Sequence, residues 1–217
     1  CRVLLSSSAP LVSVAERVRR LFDLNAFPLE IECHLNRDSA LRPMIKQHPG
    51  QRLPGAWDAF EIAIRAVVGQ QVSVKGATTI MGRIAAQYGE HSEYGLLFPT
   101  PSELSVVDVD SLPMPRSRAM ALRDLANAVA DGTVDFKDSW ESLSASLLAI
   151  KGIGPWTSQY IAMRATNDPD AFLDGDLVLL KVAKQQLGID SATALAERSN
   201  KWRPWRAYAC MHLWRQA

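Results

Sequence analysis

Cysteine is scarce in this chain: Cys1, Cys33 and Cys210 are odd in number and far apart within 217 residues. That pattern argues against a disulfide framework and against a clustered thiolate site such as a four-cysteine iron–sulfur loop, and it suits a reducing cytoplasm. Histidine is equally dispersed. His34, His48 and His91 are isolated, and His212 has no evident metal or nucleophile partner, so it reads as structural and no side-chain metal site is expected. No apolar run approaches the ~20 residues of a membrane span, and no charged-then-apolar leader is present. A soluble protein without a membrane partner is expected. An excess of one charge is also lacking: 24 basic against 23 acidic residues leave a net charge of +1, which is weak support for a nucleic-acid partner gripped by charge alone.

What remains is ordinary for a globular protein of one or two lobes, with 47% hydrophobic and 22% charged residues. The distribution of charge says more than its total. Residues 198–217 hold Arg198, Lys201, Arg203, Arg206 and Arg215 and no acid, and Arg116, Arg118 and Arg123 cluster on a second helix. Such clusters are commonly solvated helix faces; a neighbouring motif would turn them toward an anionic partner.

Cys1 to Ser7 reads as a short strand that begins without a methionine, so the chain is expected to be a fragment. Residues 11–22 follow as a helix with Leu11, Val14, Val18, Leu21 and Phe22 on one side. From Trp57 onward the pattern is helical almost throughout. Phe60, Ile64, Val67 and Val68 form one stripe; Ser73 caps a second helix that Gly89 ends; Pro115 opens a third that runs to about Gly132. Asp138 and Glu141 suggest a capping box for a helix leading to Ile150. Short helices follow near 155–167, 176–187, 191–199 and 204–215, with Pro155 and Pro204 placed for first helical positions. There is no internal repeat, low-complexity tract or long linker, and the fold class is mainly α.

The most informative stretch is Leu148-Ala149-Ile150-Lys151-Gly152-Ile153-Gly154-Pro155-Trp156-Thr157-Ser158-Gln159-Tyr160, followed by Leu173-Asp174-Gly175-Asp176. Gly152 and Gly154 allow a tight hairpin that a Cβ would resist, and Pro155 then starts a helix. Backbone N–H groups left free at such a helix start bind an anion, for example a DNA phosphate, without side-chain charge.

This stretch resembles the helix-hairpin-helix DNA glycosylase superfamily, whose signature is a Gly- and Pro-rich hairpin followed some twenty residues later by an aspartate. Within it the chain is most similar to the bacterial 3-methyladenine DNA glycosylase II family. The likeness is carried by Gly69-Gln70-Gln71-Val72-Ser73-Val74, Gly152-Ile153-Gly154-Pro155-Trp156-Thr157, Lys201-Trp202-Arg203-Pro204-Trp205-Arg206 and His212-Leu213-Trp214, and it runs over nearly the whole chain in family order. The resemblance implies a two-lobed fold with the active site in the cleft between the lobes. It divides the chain into 1–35, the remnant of an N-terminal α/β subdomain; 36–58 with 169–217, the lobe carrying the catalytic aspartate; and 59–168, the lobe ending in the hairpin motif.

By the same resemblance Asp176 is the catalytic carboxylate. Read alone, it is a helix N-cap before the Leu177, Leu180, Ala183, Leu187 stripe, and the two roles are compatible. Cleavage of an N-glycosidic bond develops positive charge on the sugar, which a carboxylate stabilises while it orients or deprotonates water. Asp174 is the rival, assigned here to solvent or turn structure, and Gly175 stands where the family pattern leads one to expect an acidic residue. Trp156 occupies the position at which strand-cutting relatives carry a Schiff-base lysine, and Lys151 lies on the wrong side of the glycines to replace it. A monofunctional enzyme is therefore implied.

Trp156, Tyr160 and Trp214, with Gln70, are implied to form the base pocket. Aromatic faces suit N3- or N7-alkylated purines, because those bases are cationic and a cation over a ring gains roughly 0.5–2 kcal/mol. Gln71 is implied as the wedge that fills the space of a flipped nucleotide, where close relatives can carry leucine. Gly152, Ile153, Gly154 and Thr157 are implied to hold the DNA backbone. No cofactor is implied beyond a monovalent cation on the hairpin carbonyls. The expected activity is excision of 3-methyladenine- and 7-methylguanine-type bases from double-stranded DNA by a monomer in a bacterial, nucleoid-associated cytoplasm. The alternatives are a glycosylase for oxidised or mismatched bases and a non-catalytic helix-hairpin-helix DNA-binding module. For the absent N-terminal part the alternatives stay open: a deliberately shortened chain, a disordered end, or the terminal part of a larger fusion, for example to an alkylation-response regulator.

Overall fold

A computed structural model describes residues 10–93 and 95–217; the strand expected over Cys1 to Ser7 lies outside them. The chain divides into two compact units, Cys1–Trp57 with Asn167–Ala217, and Asp58–Thr166. The mainly α expectation holds: the one sheet among the described residues is a hairpin of β1 (His91–Ser92) and β2 (Gly95–Leu96), with His91 opposite Leu96. No helix among the described residues is long and apolar enough to cross a membrane.

In the first unit, α1 (Leu11–Leu21), α2 (Pro28–Leu35) and α3 (Arg42–Gln47) are joined by three later helices, here numbered in chain order as α10 (Leu177–Leu187), α11 (Ala192–Ser199) and α12 (Arg206–Trp214). Helix α12 packs on α10 and α3. The apolar side of α1 is narrower than its sequence suggests, since Val14 and Val18 are buried whereas Leu11 and Phe22 are exposed. Pro204 does not open α12. Trp205 is the N-cap and the helix runs from Arg206, later than the Pro204 rule implies.

Two buried carboxylates tie this unit together across long stretches of chain. Asp38 accepts from the Arg198 guanidinium, from the Trp202 indole N–H at 2.8 Å and from the Ala40 N–H at 3.0 Å. Burial alone would raise this carboxyl, but those hydrogen bonds hold it below its ordinary value. Asp23 accepts from the Leu53 N–H at 2.9 Å and the Tyr208 hydroxyl at 2.8 Å.

His212 is buried on α12, and its Nδ1 has no hydrogen-bond partner among the described residues. Desolvation, with smaller contributions from His48 and Arg215, pushes its pKa from 6.5 down to about 4. The expectation that it is structural thus acquires a pH signature. A base whose folded pKa is depressed binds more protons when unfolded, so its contribution is intact above about 6.5 and is lost as pH falls toward about 4. Denaturant titrations should show about 2 kcal/mol less stability at pH 5 than at pH 7.5 from this group. His212→Gln should flatten that slope, and an unchanged slope would assign it elsewhere.

The second unit contains α4 (Ala59–Val68), α5 (Val74–Tyr88), α6 (Pro101–Ser105), α7 (Arg116–Ala130), α8 (Trp140–Ala149) and α9 (Pro155–Ala165). Helix α4 is its centre, buried through Phe60, Ala63, Ile64, Ala66, Val67 and Val68 and packed against α7 and α9. Ser73 caps α5 as the sequence indicates, its hydroxyl accepting from the Gly76 N–H at 3.1 Å. Gly89 closes that helix in extended rather than left-handed backbone. At α8 the cap is Ser139, which accepts from the Ser142 N–H; Asp138, expected in that role, accepts instead from the Ser142 hydroxyl.

Candidate active site

Helices α8 and α9 are joined by the hairpin Ile150–Gly154. Its turn closes through the Ile153 N–H donating to the Ile150 carbonyl at 3.0 Å, and Ile153 is buried. The two glycines differ in why they are there. Gly152 lies at φ +95°, and a Cβ on it would come within 2.9 Å of the Ala121 Cβ. Gly154, at φ −100°, is the N-cap of α9, and a Cβ there would meet nothing within 4 Å. The hairpin itself therefore requires glycine only at 152, a correction to the equal weight the sequence gives both. Pro155 occupies the first turn of α9 as expected. The N–H groups of Gly152 and Gly154 make no hydrogen bond among the described residues, as an anion-binding turn would need.

The Gln70 side chain braces this hairpin: its Nε2 donates to the Gly152 carbonyl and to the Thr157 hydroxyl, both at 2.9 Å. Gln71, exposed beside it, has φ +57°, an uncommon conformation for a residue with a side chain and one often found at functional sites. On α9, Trp156 and Tyr160 are half-buried and stacked, with ring centroids 5.3 Å apart and planes 18° from parallel. One helical turn further on, the Arg164 guanidinium lies 5.8 Å from the Tyr160 centroid. Tyr160 is thus flanked on both sides by its own helix, an i, i+4, i+8 column.

In the first unit, Asp176 is the N-cap of α10. Its Oδ1 accepts from the Val178 N–H at 3.0 Å, the Leu179 N–H at 2.9 Å and the Trp214 indole N–H at 3.1 Å. Three donors on one oxygen fix the plane of the carboxylate. Asp174, two residues earlier, makes no hydrogen bond or ion pair among the described residues. No group of three or more His, Cys, Asp or Glu able to hold a metal occurs among the described residues.

The basic clusters look different once folded. Arg198 is paired with Asp38, and Arg203 and Arg206 both pair with Asp170. On α7, Arg116 pairs with Asp110 and Arg123 with Asp124. Much of the C-terminal positive charge is therefore spent inside its own unit. Arg118 is the exception on α7, having no carboxylate partner among the described residues. It lines a cavity of about 200 Å³ together with Gln70, Gln71, Ser117, Ala121 and Gly152. Sequence reasoning placed Arg118 in a cluster but not at a site; its single available signal was a helix-borne arginine.

Against curated proteins, DNA-3-methyladenine glycosylase 2 of Escherichia coli K12 is 38% identical over 207 residues, covering 91% of this chain and 70% of that protein. The chain belongs to the DNA-3-methyladenine glycosylase 2 family. The model of the AlkA N-terminal domain matches residues 1–58. A probable bifunctional transcriptional activator/DNA repair enzyme AlkA from Mycobacterium tuberculosis is 40% identical over 222 residues. That match covers 99% of this chain but 45% of that protein, so the chain spans about half the length of this relative. Among solved structures, Schizosaccharomyces pombe 3-methyladenine DNA glycosylase in complex with abasic DNA superimposes with a TM-score of 0.74 at 26% identity, covering 85% of this chain and 95% of that one. Membership of the DNA-3-methyladenine glycosylase 2 family gives the bundle α4–α9 and its hairpin their fold context.

Proposed function

We propose that this chain is a monofunctional base-excision glycosylase that flips alkylated purines out of double-stranded DNA and hydrolyses their N-glycosidic bond. The observation that carries the reading is Asp176, a carboxylate oriented by two backbone N–H groups and the Trp214 indole, in a chain 38% identical to a DNA-3-methyladenine glycosylase. As the bond to the base lengthens, the sugar becomes cationic; the Asp176 charge stabilises it and orients the water that adds. A 3- or 7-alkylated purine leaves as a neutral base, so little protonation of the leaving group is needed. Trp156 offers the ring face against which the cationic base stacks, backed by Tyr160, and within the other unit the Trp214 N–H holds the carboxylate.

Gln71 enters the stack as the base leaves, filling the gap that flipping opens. Gly152, Ile153, Gly154 and Thr157 present the hairpin backbone to a phosphate, and Gln70 keeps the hairpin in place. The carbonyls of the Ile150–Gly154 hairpin not already used by Gln70 would hold a monovalent cation, whose positive charge would support phosphate binding there. The enzyme acts as a monomer on the cytoplasmic nucleoid.

Release of 3-methyladenine and 7-methylguanine from methylated duplex DNA is the direct test; no release of either would end this reading. Strand scission tests the monofunctional part. The residue that begins α9 after Pro155 is Trp156, and Lys151 is an exposed turn residue before the hairpin glycines. Neither supplies an amine to attack the sugar from α9. Borohydride should trap no enzyme–DNA adduct, and the abasic strand should stay intact until alkali is added. A lysine-dependent covalent adduct would make the enzyme bifunctional.

A further inference from the structure

Beside Gln71 lies the cavity of about 200 Å³ bounded by Gln70, Gln71, Ser117, Arg118, Ala121 and Gly152. Its lining is unequal. Ala121 and Gly152 bring no polar side chain to it, and they are so close that a Cβ on Gly152 would sit 2.9 Å from the Ala121 Cβ. The rim is polar, and its one charged group, Arg118, is half-buried and without a carboxylate partner among the described residues. A partly desolvated guanidinium facing a cavity is short of acceptors, because it carries five N–H donors and accepts nothing.

We propose that this cavity receives the base left unpaired opposite the lesion and that Arg118 makes it selective for cytosine. The proposal rests on the base-flipping reading above. The wedge residue and the cavity share Gln71, so a base on the strand facing the wedge has its Watson–Crick edge turned toward this rim. Of the four bases, cytosine alone offers two adjacent acceptors on that edge, N3 and O2, which match the paired donors of a guanidinium. Its amino group then donates to the Gln71 amide oxygen or the Ser117 hydroxyl. Thymine places an N–H between its two acceptors and turns that donor toward Arg118; adenine and guanine offer one acceptor each beside donors. The consequence for substrate choice is a preference for alkylated guanines, which leave cytosine behind.

The test uses duplexes with a tetrahydrofuran abasic analogue opposite each of the four bases, together with single-turnover release of 7-methylguanine opposite each of them. Wild type should bind the analogue opposite cytosine about tenfold more tightly than opposite adenine, within the range of one bidentate arginine contact. Arg118→Ala should erase that ratio, losing most opposite cytosine, and Arg118→Lys should restore only part of it, because an ammonium cannot make the paired contact. Melting temperatures of the three proteins should agree, since the Arg118 side chain has no hydrogen-bond or ion-pair partner among the described residues to lose. Equal affinity of wild type for all four partners would overturn the proposal. So would a loss in Arg118→Ala that is the same opposite every base, which would make Arg118 a phosphate clamp. If wild type releases no alkylated base from any duplex, the glycosylase reading itself falls and takes the proposal with it.

Discussion

Asp176→Asn is expected to fold, to bind abasic DNA and to excise 3-methyladenine about 10²–10³-fold more slowly than wild type. The substitution separates the two roles this residue combines. As an N-cap it uses Oδ1, which accepts from Val178 and Leu179; asparagine keeps that oxygen and ranks with aspartate as a cap, so α10 should lose at most about 1 kcal/mol, chiefly the interaction of charge with the helix dipole. As a catalytic group it uses charge, and asparagine has none. Single-turnover excision, thermal melting and abasic-DNA affinity should therefore part company. Trp214→Phe should give a smaller loss, about tenfold, because it removes one hydrogen bond to the carboxylate and keeps a ring. Near wild-type excision by Asp176→Asn, with loss in Asp174→Asn, would move the catalytic role to Asp174.

The features that were legible in the sequence are those written locally. Ser73 before α5, Pro155 at the start of α9 and the apolar spacing of α4 each act through neighbours within a turn, so spacing alone places them. Several short elements escaped for the same reason in reverse: α2, α3 and α6 run to 8, 6 and 5 residues, too short for a periodic stripe to form. The exposed side of α1 escaped because a stripe records which residues could be buried, and only the tertiary fold decides which are. At Pro204 the local rule placed the start too early, since the N-cap of α12 is Trp205.

Electrostatic pairing was the least legible. Arg198 reaches Asp38 across most of the chain, and Arg203 and Arg206 reach Asp170, so an acid-free C-terminal stretch that looks like a binding face is largely neutralised by acids from other elements. On α7 the reverse holds. Arg116 and Arg123 find acids nearby, whereas Arg118 has no carboxylate partner among the described residues, which is what sets it apart in the proposal above. The Trp214 to Asp176 hydrogen bond belongs to this group too: it joins two ends of one unit that no spacing rule connects.

Gly154→Val should leave the protein folded and weaken its binding to abasic DNA by about 2–3 kcal/mol, the scale of one or two hydrogen bonds to a charged phosphate. The free protein has room for the side chain. Gly154 has φ −100° and an added Cβ meets nothing within 4 Å, so the cost to folding is limited to a poorer N-cap, about 1 kcal/mol. The harm comes from DNA: a branched side chain on the outer surface of the hairpin keeps the phosphate away from the N–H groups that would bind it. Gly152→Val should fail differently, by unfolding, because its φ of +95° and the Ala121 Cβ at 2.9 Å exclude a side chain in the protein alone. Lys151→Ala should do neither, costing no more than about 1 kcal/mol of affinity for an exposed charge. Chemical denaturation and fluorescence anisotropy on the three variants would sort them. A Gly154→Val protein that binds abasic DNA like wild type, beside a Lys151→Ala protein that does not, would show that charge rather than hairpin backbone holds the phosphate.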